Sequence, residues 1–150
     1  MIDRRPVVRA WSQAFAMSLL LSAVPCAGCG KGKVHEPVYP VHGQVLFEGR
    51  PVAWAFVVLH PVNSAGETPV HPHAYGTTDG TFELTSFTSG DGAPAGEYAV
   101  TVQLRQPPLK DDDPPARNLL PSRYASPDTS GLRVQIVEGS NELEPLRLKR

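Results

Sequence analysis

Apolar positions recur with period two over most of the chain after residue 40. Val41, Gly43, Val45 and Phe47 alternate with His42, Gln44 and Glu48, as in a strand with one buried face. Glu97 to Leu104 alternates more strongly and predicts Tyr98, Val100, Val102 and Leu104 facing inward. Ala53 to Leu59 is apolar on both faces, the pattern of a central strand, and this places Trp54 and Phe56 in the core. His71 to Tyr75 reads as a short strand broken by Pro72, and Phe82 and Leu84 continue the ladder beyond it. Leu132 to Glu138 and Leu143 to Leu148 predict the last two strands. Turn residues separate these runs: Glu48-Gly49-Arg50-Pro51, the hairpin dipeptide Asp79-Gly80, Ser89 to Gly96, and Gly139-Ser140-Asn141. No window after the N-terminal segment has helical period. About seven short strands joined by turns predict an all-β fold, a seven-stranded antiparallel Greek-key sandwich.

The first 28 residues follow a different logic. Arg4, Arg5 and Arg9 stand against one Asp, and Ala14 to Val24 is uncharged and mostly apolar. That run is shorter than the ~20 residues a membrane span needs, but it has the length of a signal-peptide core. Ala27-Gly28-Cys29 follows and resembles the end of a bacterial lipoprotein signal, which implies cleavage before Cys29 and acylation of that cysteine. Cys26 occupies the position where leucine is usual. A redox or zinc reading of Cys26-Ala27-Gly28-Cys29 lacks its context, namely a helix-opening turn or two further ligands at fixed spacing. Arg4-Arg5 as a twin-arginine signal lacks the preceding Ser or Thr. Both cysteines lie at this junction, so the domain beyond it has no disulfide and rests on its hydrophobic core. Residues 29–40, rich in Gly, Lys and Pro, read as a lipidated cysteine and tether, with the sandwich at 41–150.

Charge narrows the partners. The 150 residues carry 14 Lys+Arg against 15 Asp+Glu, a balance without the basic footprint that nucleic-acid binding needs. The 16 prolines and 13 glycines are in keeping with many turns, and 41% hydrophobic residues set the chain apart from a disordered tail.

With the strands laid out, the exported part resembles the carboxypeptidase regulatory-like family, whose members have a transthyretin-like (prealbumin-like) sandwich. Val41-His42-Gly43-Gln44-Val45, Gly49-Arg50-Pro51-Val52, Thr78 to Leu84 and Pro94 to Val102 carry the resemblance. Pro121 to Tyr124, Ser130-Gly131-Leu132 and Asn141 look similar to small lipoproteins of planctomycete-type bacteria. The resemblance implies a fold and an envelope location. It implies no peptidase activity, because no peptidase catalytic domain accompanies it.

Candidate chemistry is sparse. In a strand His71, His73 and Tyr75 share a face, so two imidazoles and a phenol are the candidate metal or enzyme site. The fold also resembles that of intradiol dioxygenases, but there both tyrosines precede the His-x-His pair, whereas here Tyr75 follows it. Asp111-Asp112-Asp113 lacks the ligand spacing and glycine turn of a calcium loop. No Gly-x-Ser-x-Gly elbow or glycine-rich phosphate loop occurs. The long connection Arg105 to Ser130 is the candidate binding loop, with Lys110, Asp111, Asp112 and Asp113 at its tip and Leu119, Leu120 and Tyr124 docking its second half. The expectation is a non-catalytic binding or structural module. It is held at the membrane by a lipid anchor, takes no cofactor, and has an envelope protein as its candidate partner.

Overall fold

The computed structural model describes residues 35–63, 69–105 and 117–150. All of them lie within one compact unit, Val34–Arg150. The signal segment, Cys26, Cys29 and the tip Lys110 to Asp113 lie outside the described residues.

The chain folds as an all-β sandwich. The first sheet is built on β2 (Val41–Phe47). A two-residue turn joins β2 to β3 (Arg50–Pro51) with Phe47 opposite Arg50. Its residues, Glu48 and Gly49, both have positive φ, at 50° and 78°, as a tight hairpin twisted with its strands requires. Further along, β2 pairs antiparallel with β6 (Thr81–Glu83). Its opposite edge takes β10 (Asn141–Glu142) and β11 (Leu146–Leu148), both parallel to it. The antiparallel expectation therefore fails at these two pairings. The expected last strand, 143–148, is also shortened to β11, with Leu143 to Pro145 outside it, because a proline has no N–H for a ladder, while β10 forms where a turn was expected.

The second sheet runs β5 (His73–Tyr75), β4 (Phe56–Pro61), β8 (Gly96–Gln103) and β9 (Arg133–Ile136), antiparallel throughout. A small ribbon pairs β1 (Val38–Tyr39) with β7 (Ala93–Pro94), so strand pairing begins inside the segment read as tether. Among the described residues, the eleven strand segments exceed the seven expected because several are only two or three residues long.

One core joins the two sheets. Val41, Val45, Phe82, Leu146 and Leu148 from the first meet Val57, Leu59, Ala74, Val100, Val102 and Ile136 from the second. Tyr98, Val100 and Val102 are buried as the period-two pattern predicts, with Leu104 packed against the core at its edge. Leu120 and Tyr124, the latter on the 3-10 turn Ser122–Ala125, close the core from the second half of the long connection. Leu119 stays exposed.

Trp54 corrects the sequence reading. It is 63% exposed, and its backbone sits at φ 60° in a turn before β4. The apolar run from Ala53 is thus not one strand. The strand starts at Phe56, and only its inner face, Val57 and Leu59, is fully buried.

Candidate functional site

The outer face of the second sheet carries His73 and Tyr75, with His71 just before β5. Alternation sends Val57 and Leu59 inward, and Phe56, Val58 and His60 outward. The register sets Phe56 opposite Tyr75 and Val58 opposite His73. On the other flank, Phe56 faces Gln103, Val58 faces Thr101 and His60 faces Ala99. A row of imidazole and aromatic rings thus crosses β4 and β5.

His71, His73 and Tyr75 do not share a common neighbour. Tyr75 stacks on Phe56 with ring centres 4.7 Å apart, and His73 packs on the same ring at 6.1 Å. Pro72 is fully buried and its carbonyl accepts a 2.8 Å hydrogen bond from the Leu59 N–H. Proline cannot extend the ladder on its own N–H side, so His71 falls outside β5. His71 instead meets His60 edge-on, with ring centres 5.2 Å apart. Among the described residues, no group of three or more His, Cys, Asp or Glu is arranged to hold a metal ion.

His60 is the residue the sequence reading passed over. It sits at the far end of β4, and only the β4–β5 pairing brings it beside His71. Its Nε2 lies 3.0 Å from Thr101 Oγ1. The Thr101 hydroxyl reaches the Val58 carbonyl at 3.5 Å. Burial, and then the charge of His71, hold the His60 pKa below the usual imidazole value.

One end of this face is aromatic and open. Tyr75 is the last residue of β5, opposite Phe56, the first of β4. Trp54 lies just before β4, and its N–H reaches the Thr77 carbonyl at 3.4 Å. Among the described residues, the two most exposed large apolar side chains, Tyr75 at 69% and Trp54 at 63%, therefore lie at the same end of the sheet.

The long connection is closed at its base. The Asn118 side-chain oxygen accepts from the Leu104 N–H at 2.9 Å, and the Leu119 N–H donates to the Leu104 carbonyl at 2.8 Å. Two shallow grooves lie elsewhere. One of about 400 Å³ borders His42, Gln44, Thr77 and Glu83, and one of about 630 Å³ runs between β9 and residues 143–147. Neither includes His71, His73 or Tyr75.

No family model matches this chain. No curated protein matches it either. Among solved structures, a 9R-lipoxygenase from Cyanothece aligns at 15% identity and a TM-score of 0.42, over 75% of this chain and 16% of that one. A likeness at that level carries no argument about function.

Proposed function

We propose that this chain is an exported, lipid-anchored protein of the bacterial cell envelope whose sandwich is a non-catalytic binding module. The N-terminal segment supports the address: three arginines, a short apolar run and Ala27-Gly28-Cys29, with Cys29 as the acylated residue. Gly30 in place of Asp after that cysteine favours the outer membrane. The resemblance to carboxypeptidase regulatory-like domains of planctomycete-type lipoproteins supports the same class.

The binding assignment rests on Trp54. A bulky non-glycine residue at φ 60° carries backbone strain, which persists where surrounding structure imposes it and which clusters at ligand clamps. Here that strained turn presents the indole to solvent at the end of the sheet where Tyr75 is also exposed. Rings on rigid elements bind with little loss of side-chain freedom. The face takes an envelope protein partner.

Co-purification from detergent extracts of cells carrying the tagged full-length protein tests this. The wild type retains its partner, and Trp54→Ala combined with Tyr75→Ala loses it with the fold intact. Retention of the partner by that double variant, together with its loss when Asp111 to Pro114 are deleted, moves the binding surface to the long loop. Fractionation tests the anchor: Cys29→Ser leaves the membrane fraction or stalls as precursor, whereas Cys26→Ser stays anchored.

A further inference from the structure

The pairing of β4 with β5 makes one juxtaposition that the binding-module reading does not use. We propose that His60 and His71 form a two-imidazole site for a divalent transition ion of borderline softness, with zinc and copper as the best-matched metals. The proposal stands independently of the lipid anchor and of the aromatic end of the sheet.

The spacing fits. Two imidazoles sharing a tetrahedral ion at the usual ~2.0–2.1 Å metal–nitrogen distance hold their ring centres about 5 Å apart. In the protein they are 5.2 Å apart and inclined by 64°. Imidazole nitrogen suits zinc, copper and nickel, and copper(II) binds such donors most tightly.

The His60 ring and the backbone that carries His71 are held in place before any ion arrives. Pro72 is fully buried, and its carbonyl is bonded to Leu59, the residue preceding His60 on β4. The backbone that carries His71 is thereby fixed against the strand that carries His60. The His60 ring is oriented from its other flank. When the Thr101 hydroxyl donates to the Val58 carbonyl, its oxygen accepts the Nε2–H of His60. That leaves Nδ1 with a free lone pair, the tautomer a metal requires. A hydrogen bond from the second ring nitrogen to a fixed oxygen is the usual outer support of a histidine metal ligand, and here the Thr101 hydroxyl supplies that oxygen. Two protein ligands leave further coordination positions to water, so the site accepts an additional donor from solution.

The test uses the full-length protein with its cysteines alkylated, titrated with Zn²⁺ alone near neutral pH by calorimetry. One equivalent binds. His71→Ala and His60→Ala each weaken binding by about tenfold or more, because each leaves a single imidazole. Thr101→Val weakens it by about 10–100-fold through loss of the orienting hydrogen bond. His73→Ala leaves the affinity unchanged. Cu²⁺ added to the same protein shows nitrogen coupling from two imidazoles in its electron paramagnetic resonance spectrum, reduced to one in His71→Ala. His71 is exposed, so its substitution leaves the fold intact. Absence of saturable binding in the wild type, or undiminished binding in His71→Ala, overturns the site. Undiminished binding in Thr101→Val overturns the orienting role of the threonine.

Discussion

The Tyr124 hydroxyl accepts a 2.9 Å hydrogen bond from the Lys149 backbone N–H and reaches the Lys149 carbonyl at 3.2 Å. Through this one atom the end of the long connection is tied to the residue following β11. Burial alone raises the Tyr124 pKa. The Lys149 N–H and the Arg123 guanidinium, whose Nη2 is 3.1 Å from the hydroxyl, outweigh it, and the net shift is downward.

Tyr124 therefore contributes both packing and a polar tie. Tyr124→Ala removes a buried ring and is expected to cost ~3–5 kcal/mol, whereas Tyr124→Phe keeps the ring and costs about 1 kcal/mol. Urea unfolding of the two variants separates the contributions. Equal losses would mean that the hydroxyl alone holds this segment.

How much of this was legible in the sequence follows from which forces act locally. Alternation in Val41 to Phe47 and Glu97 to Leu104 located β2 and β8 because one face of each must be buried. Asp79-Gly80 located a turn because its glycine, at φ 75°, takes a conformation other residues avoid. Tyr124 was found as an aromatic residue close behind a proline-rich loop. Trp54 was misread because apolar residues in a row carry no mark of where a strand begins. Its positive φ falls on a residue that sequence rules never assign to such a turn. The partnership of His60 with His71 was invisible for another reason. It depends on the register between two strands, which a single sequence does not specify. The same holds for the parallel pairing of β2 with β10 and β11, whose residues are about a hundred positions apart.

Trp54 provides a direct check on that correction. An aromatic residue in the core costs ~3–5 kcal/mol when cut to alanine. Trp54 is mostly exposed, so Trp54→Ala is expected to cost less than ~1 kcal/mol. Glycine tolerates φ 60° without the ~1–2 kcal/mol left-handed penalty, so Trp54→Gly should be at least as stable as Trp54→Ala. Melting temperatures of the two variants decide this. A loss on the scale of a core aromatic in Trp54→Ala, or a less stable glycine variant, would return the indole to a structural role.

Gly92 and Gly131 separate two ways in which a glycine is needed. Both have positive φ, 94° and 66°. A Cβ on Gly131 meets nothing within 4 Å, whereas one on Gly92 runs into the Tyr39 carbonyl group. Gly131→Ala is expected to cost only the left-handed penalty, ~1–2 kcal/mol. Gly92→Ala adds a backbone clash, because Tyr39 is held opposite Ala93 in the β1–β7 ribbon. The ribbon must open, so amide exchange at Tyr39, whose N–H faces Ala93, accelerates sharply in Gly92→Ala and stays slow in Gly131→Ala. Slow exchange in both variants would place Tyr39 away from Gly92 in solution.

Asp79 links the β6 turn to acid stability. Its Oδ1 accepts hydrogen bonds from the Thr77 hydroxyl, the Thr81 hydroxyl at 2.7 Å and the Thr81 N–H at 3.2 Å. The Thr77 bond, then those from Thr81, lower its pKa from 3.8 to about 2. A carboxylate with a folded pKa below its unfolded value stabilises the protein fully only above the unfolded pKa. That contribution declines below pH 3.8 and is gone once the pH falls through about 2. The stability difference between the wild type and Asp79→Ala should therefore be constant from neutral pH down to about 4, then shrink toward the acid end. Denaturant midpoints measured for both proteins across that range give the comparison directly. A difference that stays constant down to pH 2, or one that grows on acidification, would show that the turn is held by its glycine geometry rather than by the ionised carboxylate.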